Sequence, residues 1–426
     1  MTRPMSFGNR PASAYGRGVW GIWAFVRLAG VVVMTGRLSY PQTDLDVMRY
    51  WGWASAVQAG HLPWSSFPLE YPPGILPFLA LPGGQFGYEL QFIVLALAAD
   101  GIVLAMLRRR SARGLGQWVW LVAPIALGTT FWLRLDVFVA AALVGFIVAI
   151  QARRWRTAGL CLAYATLLKL WPLVLLVVVW RLIPASGRRQ VCSWCVGLIA
   201  AFTVPVLAWG GSAGLVSMLR YQGGRGLEVE SVAAYPVMLA WKFGHHASPA
   251  FAHDSIEFAV AGLAAHLAAA ALPCALLLVV GLVWRDNGSR VTIASATLLV
   301  AVTVLIASKT MSPQYLVWIL ALISVAVCDD TARGRRSTWA LAVLSIAATA
   351  LTQAIYPWHW MNLVLFAQTS GIVLLTLRLA LLVAVTVLAG WHAFGRRQNA
   401  PVPPVPPVTT STPTLSTPTL SATYIA

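Results

Sequence analysis

Residues 86–110 read FGYELQFIVLALAADGIVLAMLRRR, a long apolar run that stops at three consecutive arginines. An α-helix of about 20 such residues crosses the hydrocarbon core of a bilayer. Comparable runs recur from Val19 to Phe394. Hydrophobic residues make up 59% of the chain and charged residues only 10%, which excludes a water-soluble globular domain. We therefore predict one all-α, polytopic integral membrane domain.

The spacing of these runs predicts about 12 transmembrane helices, within a range of roughly ten to thirteen, with the N-terminus in the cytoplasm. The helices are expected at 19–36, 86–107, 116–133, 136–152, 157–168, 170–183, 191–209, 257–283, 291–307, 312–327, 337–354 and 370–394. Every connection that this threading puts inside the cell is basic, as the positive-inside rule requires. Two short helices meet at Lys169, which predicts a broken helix around a polar cavity.

The same threading divides the chain into three parts. Residues 1–18 are expected to be a basic cytoplasmic N-terminus, residues 19–395 the transmembrane domain, and residues 396–426 a disordered tail rich in Pro, Ser and Thr. Two long loops, 37–85 and 210–256, fall on the outer side of the membrane. Long ordered loops in compact proteins are usually functional, so we expect the chemistry there.

Charge on the predicted outer side supports this expectation. Nearly all the carboxylates lie there, namely Asp44, Asp46, Glu70, Glu89, Asp136, Glu228, Glu230, Asp254 and Glu257. The three lysines, Lys169, Lys242 and Lys309, are also predicted outside, against the positive-inside rule. Cations kept on the disfavoured side indicate an anionic ligand such as a phosphate or diphosphate headgroup. The net charge of +17 comes mainly from arginines in short clusters between the apolar runs. Such clusters set the topology of a membrane protein and do not indicate nucleic-acid binding.

The first outer loop contains TDLDVMRYWGWASAVQAG at residues 43–60, whose apolar spacing predicts a short interfacial helix. Asp44 and Asp46 stand at its N-terminus. A carboxylate there can cap the helix, or it can act as a general base at the membrane surface, and both interpretations stay open. The two residues are two apart and point to different helix faces, so at most one is expected to do the chemistry.

Five further polar segments lie in outer loops or at predicted outer ends of helices. They are FPLEYPPG (67–74), RLDVF (134–138), LLKLWP (167–172), RYQGGRGLEVES (220–231) and SKTMSPQY (308–315). Any one of them is explained equally well by a turn or by snorkelling charge. Together they favour one polar site. The cluster of His245, His246, His253 and Asp254 matches no metal-ligand spacing, and we predict no metal site or cofactor.

With these segments in place, the sequence resembles the polyprenol-phosphate-sugar-dependent glycosyltransferases of the GT-C superfamily. It is most similar to glycosyltransferase family 87 of actinobacterial cell-envelope synthesis, over roughly residues 40–320. The motifs that carry the resemblance are DLDVMRYW, FPLEYPPG, LRLDVFVAAAL, LLKLWPLVLL, RGLEVES and SKTMSPQYLVWIL. The resemblance implies a GT-C helical bundle. The family's Asp-Leu-x-Val pattern matches Asp44, Leu45 and Val47, which makes Asp44 the implied catalytic base and Asp46 the reserve. Met48 departs from the family's usual Tyr.

The resemblance also implies a reaction. An acceptor hydroxyl attacks the sugar of a polyprenyl phosphate with inversion, on the outer face of the plasma membrane, to make a cell-envelope glycolipid. Mannose is the favoured sugar and arabinofuranose the second. The donor phosphate is expected at Lys169, Lys309, Arg134 and Arg225, and the sugar or acceptor at Glu70, Tyr71, Asp136, Glu230 and Gln314. The expected partners are the lipid-linked donor, a lipid or glycan acceptor and membrane lipids.

Two other classes of protein remain open. A flippase or transporter of lipid-linked sugars would also need many helices and buried charge, but it should show internal repeats, and the sequence shows none. It would also place its site near the bilayer midplane, whereas these carboxylates lie in outer loops. The third class is a non-catalytic protein of envelope assembly.

Topology provides the first test. Single cysteines placed in the 37–85 loop are expected to react with a membrane-impermeant maleimide added outside intact cells. Cysteines placed in the 396–426 tail are expected to react only after the membrane is permeabilised. Cytoplasmic labelling of the loop would contradict an outer site.

Overall fold

A computed structural model describes residues 14–35, 45–67, 69–110, 115–286, 290–329 and 335–395. Within this part of the chain the backbone forms sixteen α-helices and three short strands. The helices are α1 Ala14–Thr35, α2 Leu45–Gln58, α3 Leu76–Leu79, α4 Gln85–Arg110, α5 Leu115–Leu127, α6 Asp136–Gln151, α7 Trp155–Leu168, α8 Leu175–Leu182, α9 Ala185–Gly224, α10 Tyr235–Lys242, α11 Gly262–Arg285, α12 Ile293–Ala307, α13 Leu316–Asp329, α14 Arg335–Gln353, α15 Trp360–Phe366 and α16 Thr369–Phe394. The strands are β1 Leu227–Glu228, β2 Ala250–Ala252 and β3 Ser255–Phe258.

The helical class of the chain agrees with the prediction, because each of the twelve predicted segments overlaps a helix. Among the described residues, five stretches are long and apolar enough to cross a membrane. They are Gln85–Arg110, Ala185–Trp209, Gly262–Arg285, Arg336–Phe366 and Thr369–Phe394. Shorter apolar helices supply most of the remaining bundle. The fold is therefore that of an all-α membrane protein, built from helices of unequal length.

Several predicted boundaries were wrong, and two of them lie around the second long loop. The helix expected from residue 257 begins at Gly262, because Ser255–Phe258 pairs as a strand instead. Helix α9 runs on to Gly224, so the first part of the segment 210–256 is helical and not a loop. The short helix expected after Pro41 is present as α2, and its place at the membrane interface stays a prediction. The predicted tail at 396–426 lies outside the described residues.

Helix α13 lies at the centre of the bundle. All its residues from Leu316 to Val327 are buried, and it packs against α4, α5, α6, α12 and α14. The hydroxyl of Ser324 donates to the carbonyl of Leu320 at 2.7 Å, and Thr303 on α12 does the same to Leu299, so polar groups are satisfied within their own helices. Helices α9 and α11 expose most of their apolar side chains at the periphery, as lipid-facing helices do.

A buried ion pair attaches α1 to the rest of the bundle. Arg27 is 2% exposed and donates from Nε to Oδ2 of Asp100 on α4 at 2.7 Å, and from Nη2 to Oδ1 at 3.0 Å. Its remaining Nη1 donates to the carbonyl of Leu121 on α5 at 2.9 Å, and Trp23 Nε1 donates to Asp100 at 3.0 Å. The two charges are therefore fully paired and hydrogen-bonded inside an apolar region, where an unpaired charge is costly.

The arginine-rich connections meet at one end of the bundle. Arg110 at the end of α4 pairs with Asp329 at the end of α13, and Arg290 before α12 donates to the carbonyl of Phe394 at the end of α16 at 3.2 Å. The opposite end carries α2, α10 and a three-stranded antiparallel sheet of order β1-β3-β2. Leu227 pairs with Phe258 in this sheet. The two ends therefore differ in charge and in architecture.

Substitution of Arg27 tests the buried pair with Asp100. Arg27→Leu leaves Asp100 buried without its cation and is expected to lower the free energy of unfolding by about 3–5 kcal/mol. The double variant Arg27→Leu/Asp100→Leu is expected to recover most of the loss, because it removes both charges. Thermal unfolding in detergent, followed by fluorescence-detected gel filtration, measures both.

Arg110→Leu is the matched control, because it breaks the pair with Asp329, which is more exposed than the Arg27–Asp100 pair, and it is expected to cost less than about 1 kcal/mol. Equal losses for Arg27→Leu and Arg110→Leu would contradict this account.

Candidate active site

A cavity of about 240 Å³ lies at the end of the bundle opposite the arginine-rich connections. Most of the residues predicted to form the site line it, namely Asp46, Glu70, Tyr71, Arg134, Lys169, Arg225 and Gln314. These side chains come from segments far apart in the sequence. The folded chain therefore brings the candidate phosphate-binding cations and the candidate sugar-binding groups into one space. Asp44 lies outside the described residues.

The break between α7 and α8 positions Lys169. Helix α7 ends at Leu168, Lys169 itself is extended, and a 3₁₀ turn with Pro172 leads into α8, so the predicted broken helix is present. The Nζ of Lys169 lies 4.8 Å from the ring centre of Tyr71 and 5.2 Å from that of Tyr315. Two aromatic faces stabilise the ammonium group in the wall of the cavity.

The FPLEYPPG segment fixes Glu70 and Tyr71 against α7. A Cβ at Gly74 would lie 2.6 Å from the carbonyl oxygen of Leu167, so this close approach requires glycine. The hydroxyls of Tyr71 and Tyr50 are 3.0 Å apart. Burial raises the pKa of the Glu70 carboxyl, while the charges of nearby Lys169 and Arg49 oppose that rise.

Arg49 joins three carboxylates at the mouth of the cavity. Its guanidinium lies 3.2 Å from Asp254, 3.6 Å from Glu70 and 4.0 Å from Asp46. Asp46 also forms an ion pair with Arg134. Sequence reasoning identified Asp46, Glu70 and Arg134 but missed Arg49 and Asp254. Arg49 stands within DLDVMRYW, one helical turn after Asp46, and that spacing is the only sequence signal it gives.

A β-hairpin brings Asp254 to this mouth. Strands β2 and β3 are joined by His253 and Asp254, which have φ values of 46° and 58°, as in the two-residue turns that match strand twist. The hydroxyl of Tyr221 at the end of α9 donates to Asp254 at 3.0 Å. The hairpin tip is therefore tied to α2 through Arg49 and to α9 through Tyr221.

Arg225 sits between two glutamates at the end of α9. Its Nε donates to Oε1 of Glu257 at 3.1 Å, and its Nη2 lies 3.7 Å from Oε2 of Glu228. Burial opposes ionisation of Glu257, but hydrogen bonds from Ser255 at 2.7 Å, from the Gly226 N–H at 2.7 Å and from Arg225 more than offset it and lower its pKa. Glu228 has no such set of donors, and burial raises its pKa to about 8.

Three other predicted site residues lie just beyond the cavity lining. The Nζ of Lys309 donates to the carbonyls of Gly223 at 2.8 Å and Arg225 at 2.6 Å, so it holds the end of α9. Glu230 is 1% exposed and paired with Arg378 of α16. Asp136 is fully buried at the start of α6, with Lys169 and Arg134 as its nearest cations. Contacts of these three with a substrate stay predictions.

A second cavity of about 300 Å³ adjoins the first. It is lined by Arg49, Trp53, Ala56, Phe67, Glu70, Tyr221 and Asp254. Arg49, Glu70 and Asp254 line both cavities, so the charged cluster at the mouth stands between them. Chemically, the arrangement offers cations for an anionic group, carboxylates for hydroxyl groups and two adjacent spaces for two reactants.

Comparison with known proteins identifies the family of the chain. The sequence profile of glycosyltransferase family 87 matches residues 69–313, which are more than half of the chain and include most of the cavity lining. A search of curated protein sequences finds no match. The chain belongs to glycosyltransferase family 87. It is a membrane glycosyltransferase of the GT-C type, as the motifs predicted. The matched residues begin after Asp44 and Asp46.

Removal of the Arg49 charge tests the mouth cluster. Arg49→Met is expected to free the hairpin tip and to accelerate hydrogen exchange at residues 250–258 by several-fold. This corresponds to about 1 kcal/mol or less for partly exposed ion pairs. Hydrogen–deuterium exchange mass spectrometry in detergent measures the change.

Lys242→Met serves as the control, because that ammonium donates to Ala367 and Thr369 and not to the hairpin. Equal exchange in Arg49→Met and the wild type would show that Arg49 does not hold the tip.

Proposed function

We propose that the protein transfers a sugar with inversion from a polyprenyl phosphate to a lipid or glycan acceptor on the outer face of the plasma membrane, for cell-envelope glycolipid synthesis. Mannose is the proposed sugar. The observation that carries the proposal is the convergence of Arg134, Lys169 and Arg225 on one cavity, beside carboxylates, at the end away from the arginine-rich connections. Cationic side chains bind an anionic phosphate, and carboxylates accept hydrogen bonds from sugar hydroxyls.

The cations support the departure of the phosphate. When the bond between sugar and phosphate breaks, the phosphate gains a negative charge, so cations fixed in place stabilise the transition state more than the bound donor. Lys169 is suited to this role, because neighbouring rings and burial hold its ammonium in place. The leaving phosphate is an anion of low basicity, so a single base on the acceptor side is sufficient.

Asp44 is the proposed base and Asp46 the reserve. Asp46 lines the cavity but is paired with Arg134 and also lies near Arg49. A carboxylate that faces two guanidinium groups holds its negative charge strongly and is a weak proton acceptor. This arrangement suits Asp46 to orienting Arg134, and it leaves the proton transfer to Asp44.

Aromatic side chains give the cavity a face for the rest of the donor. The rings of Tyr315 and Trp318 stack with centres 4.5 Å apart, and Trp171 lies 5.3 Å from Trp318. Tyr71, Trp171, Tyr315 and Trp318 all line the cavity. Flat apolar rings bind the hydrophobic face of a sugar or the first prenyl unit. A flippase would instead place its site near the midplane of the bilayer.

Two asparagine variants test the base. Asp44→Asn is expected to lower kcat by about 10²–10⁴-fold with little change in KM, because the amide accepts no proton. Asp46→Asn is expected to lower activity less, through loss of the pair with Arg134. The measurement is sugar transfer in membranes supplied with polyprenyl phosphomannose and a lipid acceptor.

Protein level and gel-filtration profile control for folding of each variant. An inactive Asp46→Asn with a fully active Asp44→Asn would move the base by two residues. Full activity in both variants would refute the mechanism.

A further inference from the structure

One carboxyl group in the cavity wall, that of Glu228, takes no part in the proposed proton transfer. Glu228 lines the cavity and is 6% exposed, and its Oε2 has no hydrogen-bond partner among the described residues. Its backbone is fixed, because its N–H donates to the carbonyl of Lys309 at 3.0 Å. Leaving a buried polar atom without a partner is costly, so such an atom in a cavity wall indicates a missing ligand.

Burial is the main cause that raises the pKa of Glu228, and the neighbouring charges modify it. The groups that face it are Arg225, Glu230, Glu257, Arg134 and Tyr315. The positive charge of Arg225 is already engaged by Glu257, which receives the hydrogen bond at 3.1 Å, while Glu228 lies at 3.7 Å. Two carboxyls that share one guanidinium divide the roles, and the better-bonded Glu257 takes the charge. Glu228 remains a neutral acid at pH 7, in agreement with a pKa of about 8.

We infer that Glu228 is a further catalytic residue, which donates a hydrogen bond from its carboxylic acid group to the phosphate oxygen of the lipid-linked donor. The inference rests on the proposed function, because the phosphate is that of the proposed donor. A neutral acid adds a donor to the cavity without adding negative charge. Arg225, on the same wall, supplies the charge that attracts the phosphate.

The step balances without any further reactant. The acceptor oxygen forms a bond to the anomeric carbon and its proton passes to the base. The bond between that carbon and the phosphate oxygen breaks, and its electron pair stays on the oxygen, so the prenyl phosphate changes from one negative charge to two. The acid O–H of Glu228 donates to this oxygen and strengthens its bond as the charge grows. Ionised Glu228 would lack the proton and would repel the phosphate.

Recognition of the phosphate by Glu228 is expected to depend on pH. Glu228 is active as the acid, so phosphate recognition is present below a pH of about 8 and is lost above it. About tenfold less of the acid form exists at pH 9 than at pH 7. The second ionisation of a phosphate monoester is already complete near pH 7 and contributes little over this range.

The experiment measures binding of a short-chain prenyl phosphate to the full-length protein in detergent, at pH 7 and pH 9. For the wild type, Kd is expected to rise about tenfold between the two. Glu228→Gln keeps an N–H donor and cannot ionise, so its Kd is expected to stay level. Glu228→Ala loses the donor and is expected to bind about tenfold more weakly at pH 7. Glu89→Gln, a carboxylate on α4 outside the cavity lining, is expected to follow the wild type.

Two outcomes overturn the inference: a wild-type Kd that is level from pH 7 to pH 9, or a Kd of Glu228→Gln that rises in parallel with the wild type. A purely structural role of Glu228 predicts the second outcome, because the substitution Glu228→Gln would then lower the stability of the protein and leave the pH dependence of Kd unchanged. A transfer assay on the same preparations separates the two proposals. If binding depends on pH as expected but no sugar is transferred, the role of Glu228 in phosphate binding stands and the proposed function is refuted. Sugar transfer with pH-independent binding would refute Glu228 alone.

Discussion

The cost of an unpaired charge in an apolar interior controls this structure. The chain holds few charged residues, and two ion pairs are buried inside the bundle, Arg27 with Asp100 and Arg378 with Glu230. Each of these two pairs joins segments distant in the sequence, so that the charge of one segment is compensated by another. The same cost favours the placement of other charges at the two ends of the bundle, around the cavity at one end and in the arginine-rich connections at the other.

The cavity is polar because its walls are made where helices begin and end. Lys169 stands at the break between α7 and α8, Arg225 at the end of α9, and Gln314 in the turn before α13. At such points backbone groups need partners other than their own helix, and polar side chains and loops collect there. The proposed site for a lipid phosphate and a sugar therefore lies at the edge of the bundle. An extended lipid donor can reach that edge from the membrane.

The carboxyl groups around the cavity have different surroundings, and they therefore differ in protonation and in chemical role. Of the carboxyl groups around the cavity, Asp46 is held by Arg134 and Glu257 by Arg225 and further hydrogen bonds, whereas Glu228 lies farther from Arg225, at 3.7 Å, and its Oε2 accepts no hydrogen bond from the described residues. Differences in hydrogen bonding and burial therefore separate groups of one chemical type into ionised anchors and a neutral acid. Arg49 separates the two cavities and joins the hairpin tip to α2.

The sequence by itself determined the helical class and the position of most helices, because the length of apolar runs is a local property to which the bilayer responds directly. Its ordered motifs determined the family. Most of the site residues that it predicted line the cavity, since lysines and carboxylates on the predicted outer side have no reason in topology to be there. It did not distinguish Glu228 from Glu230, or reveal Arg49 and Asp254. Those assignments depend on which side chains from distant segments are in contact. Only the packing of the helices and of the short hairpin determines these contacts.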